Sequence, residues 1–263
     1  LRPTFAGVIG GESIITSGLV LHLDAGNSSS YSGSGSTWSD ISGNSNNFTL
    51  VNSPTFISSN GGAIVFDGSN DYANSATNAS FFAFGTGDYS YGIWVRPDST
   101  STDGEALLSC ATGQGGTTPN SFQLDFWNGN PRHLFRDSSS QVSAPWGETL
   151  STTSWSYVVV VNDRSEQEIK MYLNGRPANP GGYSWVGATY GTGTDVHNFS
   201  GSSDTNGVFK IGVNRNGNAF LDGAVAQVHV YKGKALTATE VKHNYDAMKG
   251  RFEQRPLILS GVS

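Results

Sequence analysis

Polar and apolar residues alternate with a period of two in short stretches all along the chain, and this feature constrains the fold more than any other. Successive side chains of a strand point to opposite faces, so a period of two is typical of a strand with one buried face. Turn signals rather than helical patterns separate the stretches, which predicts an antiparallel sandwich or barrel. The alternating stretches are 89–97, 122–128, 155–163, 169–175, 208–213 and 224–231.

The alternation also predicts which side chains share a face. In 224–231 it places Val225 with Tyr231 on one face, and Val228 with Val230 on the other. The remaining predicted faces are Tyr89, Tyr91, Ile93 and Val95 against Trp94 and Arg96; Phe122, Leu124 and Phe126 against Gln123, Asp125 and Trp127; Trp155, Tyr157, Val159 and Val161 together; Ile169, Met171 and Leu173 together; and Phe209, Ile211 and Val213 together.

Short polar dipeptides mark the turns between these stretches. Asn128-Gly129, Asn174-Gly175 and Asp222-Gly223 are typical of tight hairpin turns. The run Asp67–Asp71 lies between the predicted strands AIVF and YANS, and it is predicted to be another hairpin turn. It resembles a calcium loop only superficially, because the glutamate that closes such a loop is absent downstream.

Composition agrees with many strands joined by turns. The chain has 34 glycines and only 14% charged residues, whereas helices favour Ala, Leu, Glu and Lys. The net charge of −6, without a long Lys/Arg run, excludes the electrostatic signature of a nucleic-acid-binding protein. No apolar run approaches the roughly 20 residues of a membrane span. The single cysteine, Cys110, has no partner for an internal disulfide and is predicted to be a buried apolar residue.

One helix is predicted, near the C-terminus. Thr237 and Glu240 have the spacing of a capping box, and Val241, Tyr245 and Met248 share one helical face. Gly250 is expected to end the helix, which would cover an edge or a face of the sandwich. The apolar arms 1–17 and 253–263 flank a domain over 18–252, and they are expected to dock on this domain or on a neighbouring subunit.

Several segments occur in an order that resembles a known family. They are GLVLHLDAGN (18–27), WSDISGNSNNFTLVNSPTF (38–56), GAIVFDGSNDYA (62–73), GTGDYSYGIWVRP (85–97), WSYVVVV (155–161), YLNG (172–175), FLDGAVAQVHVYKGKALTATEV (220–241) and NYDAMKGRF (244–252). Together they resemble the concanavalin A-like, laminin-G/pentraxin-like jelly-roll domains, and most closely those in structural proteins of tailed phages. The resemblance implies an all-β fold of two antiparallel sheets with one short C-terminal helix, which binds ligands at its concave face or rim loops.

Catalytic residues are not evident. Glycoside hydrolysis on this fold needs two carboxylates about 5–9.5 Å apart, flanking the sugar bond. Glu166 and Glu168 are the nearest pair and flank a predicted turn, while Asp125 stands alone on its strand face. The five histidines show no metal-ligand spacing on a helix. We therefore expect a protein that is not an enzyme.

Calcium is a candidate ligand for the segment around residue 40. Asp40, Asn44 and Asn46 offer oxygen ligands, and Asp24 offers a carboxylate nearby in sequence. The resemblance implies a structural calcium site at this segment, but relatives commonly add acids where this chain has the stretch 225–228, VAQV. The alternative is an Asx-rich turn whose side chains bond their own backbone.

Exposed aromatic residues are candidates for stacking on sugar rings. Trp127 and Arg132 flank the Asn128-Gly129 turn, while Tyr183, Trp185 and Tyr190 lie in the long polar segment 181–207. The alternative is that these aromatic residues pack on the sandwich or on a neighbouring subunit.

The combined expectation is a non-enzymatic structural protein of a tailed-phage virion, assembled in the host cytoplasm. It would be a capsid decoration or tail-fibre component, attached to other virion proteins by its arms, expected to be homo-oligomeric, and a candidate for binding cell-surface glycans. The alternatives are a carbohydrate-binding module or adhesin outside a virion, and a glycoside hydrolase.

Overall fold

The structure, a computed structural model, describes residues 13–76, 80–84, 87–111, 121–136, 141–163, 166, 168–178 and 207–253. Its elements in chain order are β1 (Leu19–Asp24), β2 (Thr37–Trp38), β3 (Phe48–Val51), β4 (Thr55–Ile57), β5 (Ala63–Asp67), β6 (Tyr72–Ser75), β7 (Tyr89–Pro97), β8 (Ala106–Ala111), β9 (Ser121–Trp127), β10 (Asn130–Arg136), β11 (Gln141–Pro145), β12 (Ser156–Asp163), β13 (Glu168–Leu173), β14 (Arg176–Pro177), β15 (Val208–Ile211), β16 (Asp222–Lys232) and α1 (Ala238–Lys249).

The strands form two antiparallel sheets that pack face to face. Sheet A has the order β14-β13-β12-β7-β16-β5-β4, with β1 also paired to β16, and sheet B has the order β11-β10-β9-β8-β15-β6-β3-β2. The predicted two-sheet sandwich with one short C-terminal helix is confirmed. No helix in the described part of the chain is long and apolar enough to span a membrane.

The main core lies between the sheets and is rich in aromatic residues. Phe122 of sheet B lies 5.3 Å from Tyr91 of sheet A and 5.5 Å from Phe209, measured between ring centroids. Cys110 is buried in this core, as predicted. The predicted faces of β7, β9, β12 and β13 are confirmed, because their alternate residues separate between this core and the outer faces.

The face prediction for β16 is wrong. Val225 points into the main core together with Val228 and Val230, whereas Tyr231 lies on the outer face of sheet A. The pairing of β16 with β7 is irregular between Val225 and Gln227, which is a β-bulge. An extra residue in one strand reverses the alternation beyond it, so a strict period of two fails across a bulge.

Two of the predicted hairpin turns are confirmed and two are wrong. Asn128-Gly129 and Asn174-Gly175 link neighbouring strands with positive φ at both residues, as type I′ turns require. Asp222-Gly223 is wrong as a turn, because both residues begin β16. The segment Asp67–Asp71 is not a hairpin either, since it carries the chain from β5 in sheet A to β6 in sheet B.

Helix α1 covers the outer face of sheet A. Its Thr237/Glu240 capping box is present, and Val241, Tyr245 and Met248 pack on the second apolar cluster, which lies on this face. Gly250 follows the helix in a right-handed conformation rather than the left-handed one expected of a glycine stop.

The N-terminal arm meets the domain at α1. The backbone N–H of Ile15 donates to Asn244 Oδ1 at 2.8 Å, and the Tyr231 hydroxyl donates to the Ile15 carbonyl at 3.0 Å. The end of this arm therefore docks on its own domain. Residues 1–12 and 254–263 of the two arms lie outside the described residues.

Candidate functional site

The outer face of sheet B carries a row of polar side chains, called the polar row below. Strand register places these residues side by side, while their sequence neighbours point into the main core. The polar row runs across the sheet as Thr49, Asn74, Lys210, Ser109 and Gln123. At its Gln123 end it meets the β9–β10 hairpin, which holds Trp127 and Arg132.

A buried ion pair lies in this hairpin. Arg132 and Asp125 are cross-strand partners, and the guanidinium binds both carboxylate oxygens, with 2.8 Å between Nε and Oδ1. Gln123 donates from Nε2 to Asp125 Oδ2 at 2.6 Å and accepts the backbone N–H of Arg215 at 3.0 Å. Burial raises the pKa of Asp125, and the hydrogen bonds from Arg132 and Gln123 offset part of this effect.

Arg132 also fixes the neighbouring tryptophan. Its guanidinium carbon lies 4.5 Å from the centroid of the Trp127 ring, which is a stacked cation–π arrangement. Trp127 is half-buried, whereas Arg132 is buried. The two predicted residues are thus brought together, but Arg132 is engaged with Asp125 and orients Trp127. The predicted residues Tyr183, Trp185 and Tyr190 lie outside the described residues.

Asp40, a predicted calcium ligand, is surrounded by hydrogen-bond donors of the protein. Its carboxylate accepts the backbone N–H groups of His22, Ser42 and Asn46 and the Ser42 hydroxyl, at 2.8–2.9 Å. The amides of Asn44 and Asn46 donate to the carbonyls of Leu19 and Val20. This is the geometry of the Asx-turn alternative, in which the loop is tied to β1 by its own side chains.

Asp24, the other predicted carboxylate, binds a cationic side chain. Arg251 donates from Nη1 to Asp24 Oδ1 at 2.6 Å, and Gln227 donates to Oδ2 at 2.7 Å. The same guanidinium binds the carbonyls of Asn60 and Gly62 at 2.9 and 2.6 Å. A positive charge thus already sits among these oxygens, and no group of three or more His, Cys, Asp or Glu in the described ranges is arranged to hold a metal ion.

Sequence reasoning missed Arg251. It binds Asp24 across 227 positions of the chain. The signal that could have found it is Gln227, a neutral residue where the family resemblance implies an acid beside Asp24. Gln227 brings no charge to Asp24, so the guanidinium of Arg251 balances the single negative charge of this carboxylate.

The acidic and histidine side chains that remain as catalytic candidates contact other side chains of the protein. The Lys170 ammonium lies 2.5 Å from the Glu168 carboxylate and 3.7 Å from the Asp163 carboxylate. His133 lies in the main core, where its Nδ1 is 2.7 Å from the Tyr91 hydroxyl. His22 and His229 pack edge to face, with ring centroids 4.8 Å apart. Burial lowers the pKa of both His22 and His229, most strongly that of His229.

Two stacked antiparallel sheets with a polar outer face define a lectin-like jelly roll. Residues 67–242 match the family model described as the concanavalin A-like lectin/glucanases superfamily (Laminin_G_3), and the chain belongs to this family. No curated protein sequence matches the chain significantly.

Several solved structures share this fold. Domain 4 of AbnA, a GH43 extracellular arabinanase from Geobacillus stearothermophilus solved with arabinotriose, has a TM-score of 0.62 at 19% identity, covering 86% of this chain and 98% of that domain. Trypanosoma rangeli sialidase solved with sialic acid has a TM-score of 0.60 at 17% identity, covering 93% of this chain and 35% of that one. The botulinum neurotoxin serotype D binding domain has a TM-score of 0.56 at 15% identity, covering 88% and 52%. At such identities the likeness shows the fold alone.

Proposed function

We propose that this chain is a non-enzymatic glycan-binding module that uses the outer face of sheet B. The observation that carries the proposal is the Trp127 ring, half-buried and held by the Arg132–Asp125 pair at one end of the polar row. A preordered ring loses little conformational freedom when a ligand stacks on it.

The polar row supplies the other half of a sugar site. Sugar rings present C–H faces, which pack on indole, and hydroxyls, which need donors and acceptors in fixed positions. Thr49 offers a hydroxyl, Asn74 an amide and Lys210 an ammonium group, and all three are at least partly exposed. Ser109 and Gln123 are buried and bonded to other parts of the chain, so they support the row without reaching a ligand. The fold likeness to an arabinanase domain solved with arabinotriose supports the same ligand class.

The state of Asp125 supports binding rather than hydrolysis. A glycosidase on this face would need one carboxylate free to take or give a proton and a second across the sugar bond. Both oxygens of Asp125 accept hydrogen bonds from Arg132 and Gln123. The carboxylate is therefore used to position its neighbours.

We further propose that the module is displayed on a tailed-phage virion, as a capsid decoration or tail-fibre component held by its terminal arms. The resemblance of the ordered sequence segments supports this placement. Deleting residues 1–12 or 254–263 leaves the contacts of Ile15 with Asn244 of α1 and Tyr231 of β16 intact, so the domain should still fold. Particles assembled with either deletion should lose the protein by mass spectrometry, and unchanged incorporation would refute arm-mediated attachment.

A glycan array tests the binding function. The wild-type protein should bind a defined group of glycans, and Trp127→Ala should remove that binding while leaving the unfolding transition in place. Phe56→Ala is a matched control, because Phe56 is a half-buried aromatic residue on β4 of sheet A. A blank array with folded wild-type protein would contradict the proposal.

A further inference from the structure

Two histidines on the outer face of sheet A form a pair of side chains without hydrogen-bond acceptors. His22 of β1 and His229 of β16 are cross-strand partners, with 4.8 Å between their ring centroids. The Nε2 atom of each ring is buried and has no hydrogen-bond partner in the described part of the chain. A proton bound by either ring therefore creates a charged group with a buried N–H that no acceptor satisfies, which is costly.

Helix α1 covers this pair. His229 lies between Gln227 and Tyr231 on one face of β16, because alternate residues of a strand share a face. Gln227 Nε2 lies 3.8 Å from Met248 Sδ of the helix. One turn earlier in the helix, the Asn244 amide donates to the Tyr231 hydroxyl at 2.9 Å. The helix thus contacts β16 on both sides of His229.

The same part of the helix holds the N-terminal arm. Asn244 is fully buried and accepts the backbone N–H of Ile15, whose carbonyl accepts the Tyr231 hydroxyl. His243 donates from Nε2 to the Ser13 carbonyl at 2.8 Å, at an exposed position. One element therefore both covers the histidine pair and anchors the arm, so loosening α1 over β16 also releases Ile15.

The charged groups around the pair are already engaged with other partners. Those that face the pair, together with the neighbouring phenols, are Asp24 of β1, Asp40 of the 40–46 loop, Tyr157 of β12, Tyr231 of β16 and Arg251 after α1. On α1 the charged side chains pair at the surface, Glu240 with Lys234, and Asp246 with Lys242 and Lys249. Burial lowers the pKa of both rings, and the two carboxylates offset part of this effect at His22.

We propose that His22 and His229 form an acid-operated latch for the N-terminal arm. Protonation of the pair loosens α1 over β16 and releases residues 13–16. The two sheets stay folded, because their main core lies on the opposite face of sheet A. The latch is independent of the Trp127 site, which lies on the outer face of sheet B.

The direction of the pH effect follows from proton binding. The closed state holds both rings neutral, whereas a histidine exposed in the open state titrates near its ordinary pKa of about 6.5. At pH 5 each ring then favours opening by up to about thirtyfold, and the effect disappears above about pH 7.

Hydrogen exchange of the Ile15 amide, followed by NMR on the full chain, measures the latch directly. Its protection factor should fall at least about tenfold between pH 7.5 and pH 5, and it should stay below that of the β12 amides at both pH values. In the double variant His22→Gln/His229→Gln, the protection of Ile15 should not depend on pH. His22→Gln alone changes a half-buried position and should show a smaller fall than wild type, which decides the test if the double variant does not fold.

Three results would overturn the proposal. Equal Ile15 protection at both pH values in wild type, or the same fall in the histidine variants, would remove the pair as the sensor. Equal protection of Ile15 and the β12 amides at pH 5 would show global unfolding instead of release of the arm. The matched control is His243→Gln, which should retain the wild-type fall; loss of the fall there would assign it to the exposed contact with Ser13.

Discussion

The two outer faces of the sandwich belong to different sheets, both built from strands of alternating pattern, but they differ in the side chains that lie on them. On sheet A most outward residues are apolar or aromatic, with His22 and His229 among them, and α1 packs over this face. On sheet B the outward residues form the polar row, and no helix covers it in the described ranges. The covered face adds a second apolar cluster to the stability of the fold, whereas the polar face carries the glycan site that we propose.

Sheet A and sheet B each carry an arginine–carboxylate pair that is largely buried, and the two pairs differ in how far apart their partners lie in the sequence. Arg251 and Asp24 join segments 227 positions apart, so their pair closes the C-terminal end of α1 onto β1 and the 60–62 turn. Arg132 and Asp125 are only 7 positions apart in one hairpin. A long-range pair constrains the fold, while a local pair orders the side chains next to it. The predictions below test this difference.

Loss of Arg251 should have the largest effect on stability. Arg251→Met leaves the Asp24 carboxylate, which is 12% exposed, without its cation, and breaking such a pair costs about 3–5 kcal/mol. Urea denaturation should show this loss. Arg176→Met is the control, because Arg176 is 58% exposed in its pair with Glu148 and should lose at most about 1 kcal/mol. Equal losses in the two variants would contradict a structural role for the Arg251 pair.

Acid should weaken the face covered by α1. Burial holds the pKa of His22 and His229 below the ordinary value, although Asp24 and Asp40 act in the opposite direction on His22, and Arg251 in the same direction. The unfolded chain then binds protons more readily, so the free energy of unfolding should fall as the pH drops below about 6.5.

Thermal unfolding between pH 7.5 and pH 5 measures this effect. The double variant His22→Gln/His229→Gln should show a shallower loss of Tm over that interval. The same slope in wild type and double variant would assign the pH dependence to other groups.

The helix cap should contribute a smaller amount. Thr237→Ala removes the acceptor of the Glu240 backbone N–H and should cost about 1 kcal/mol in the free energy of unfolding. Thr152→Ala, at an exposed position in the 151–155 segment, is the control and should change little. A capping variant as stable as this control would show that packing alone holds α1 in place.

Adding calcium should have the smallest effect on the stability of the fold. Because the Asp24 oxygens already bind Arg251 and Gln227, and those of Asp40 bind backbone donors, we expect the same Tm in calcium and in chelator. An upward shift with calcium would restore the metal site that the family resemblance implies.

The parts of the structure that sequence could predict are those that depend on local pattern. Alternation fixed the faces of β7, β9, β12 and β13, and Asn128-Gly129 set the register that brings Trp127 beside Arg132. Alternation failed in β16, where an inserted residue reverses the faces. It also could not show that the Asp67–Asp71 turn changes sheets, because β6 pairs with β3 and β15, which are distant from it in sequence, rather than with β5.

Contacts between distant parts of the chain also escaped prediction among the candidate site residues. The link between Asp24 and Arg251 depends on how the chain ends meet in three dimensions, and no local spacing indicates it. The ring contacts of Phe252 with Trp94 and Trp155 are similar, since the three residues come from three separate segments.

Calorimetric titration of the strongest array glycan tests the central claim most directly. The account predicts that Trp127→Ala weakens its Kd at least about tenfold, a change of about 1.4 kcal/mol or more, whereas Trp155→Phe leaves it unchanged. Full affinity in Trp127→Ala would contradict the assignment of the outer face of sheet B as the glycan-binding face.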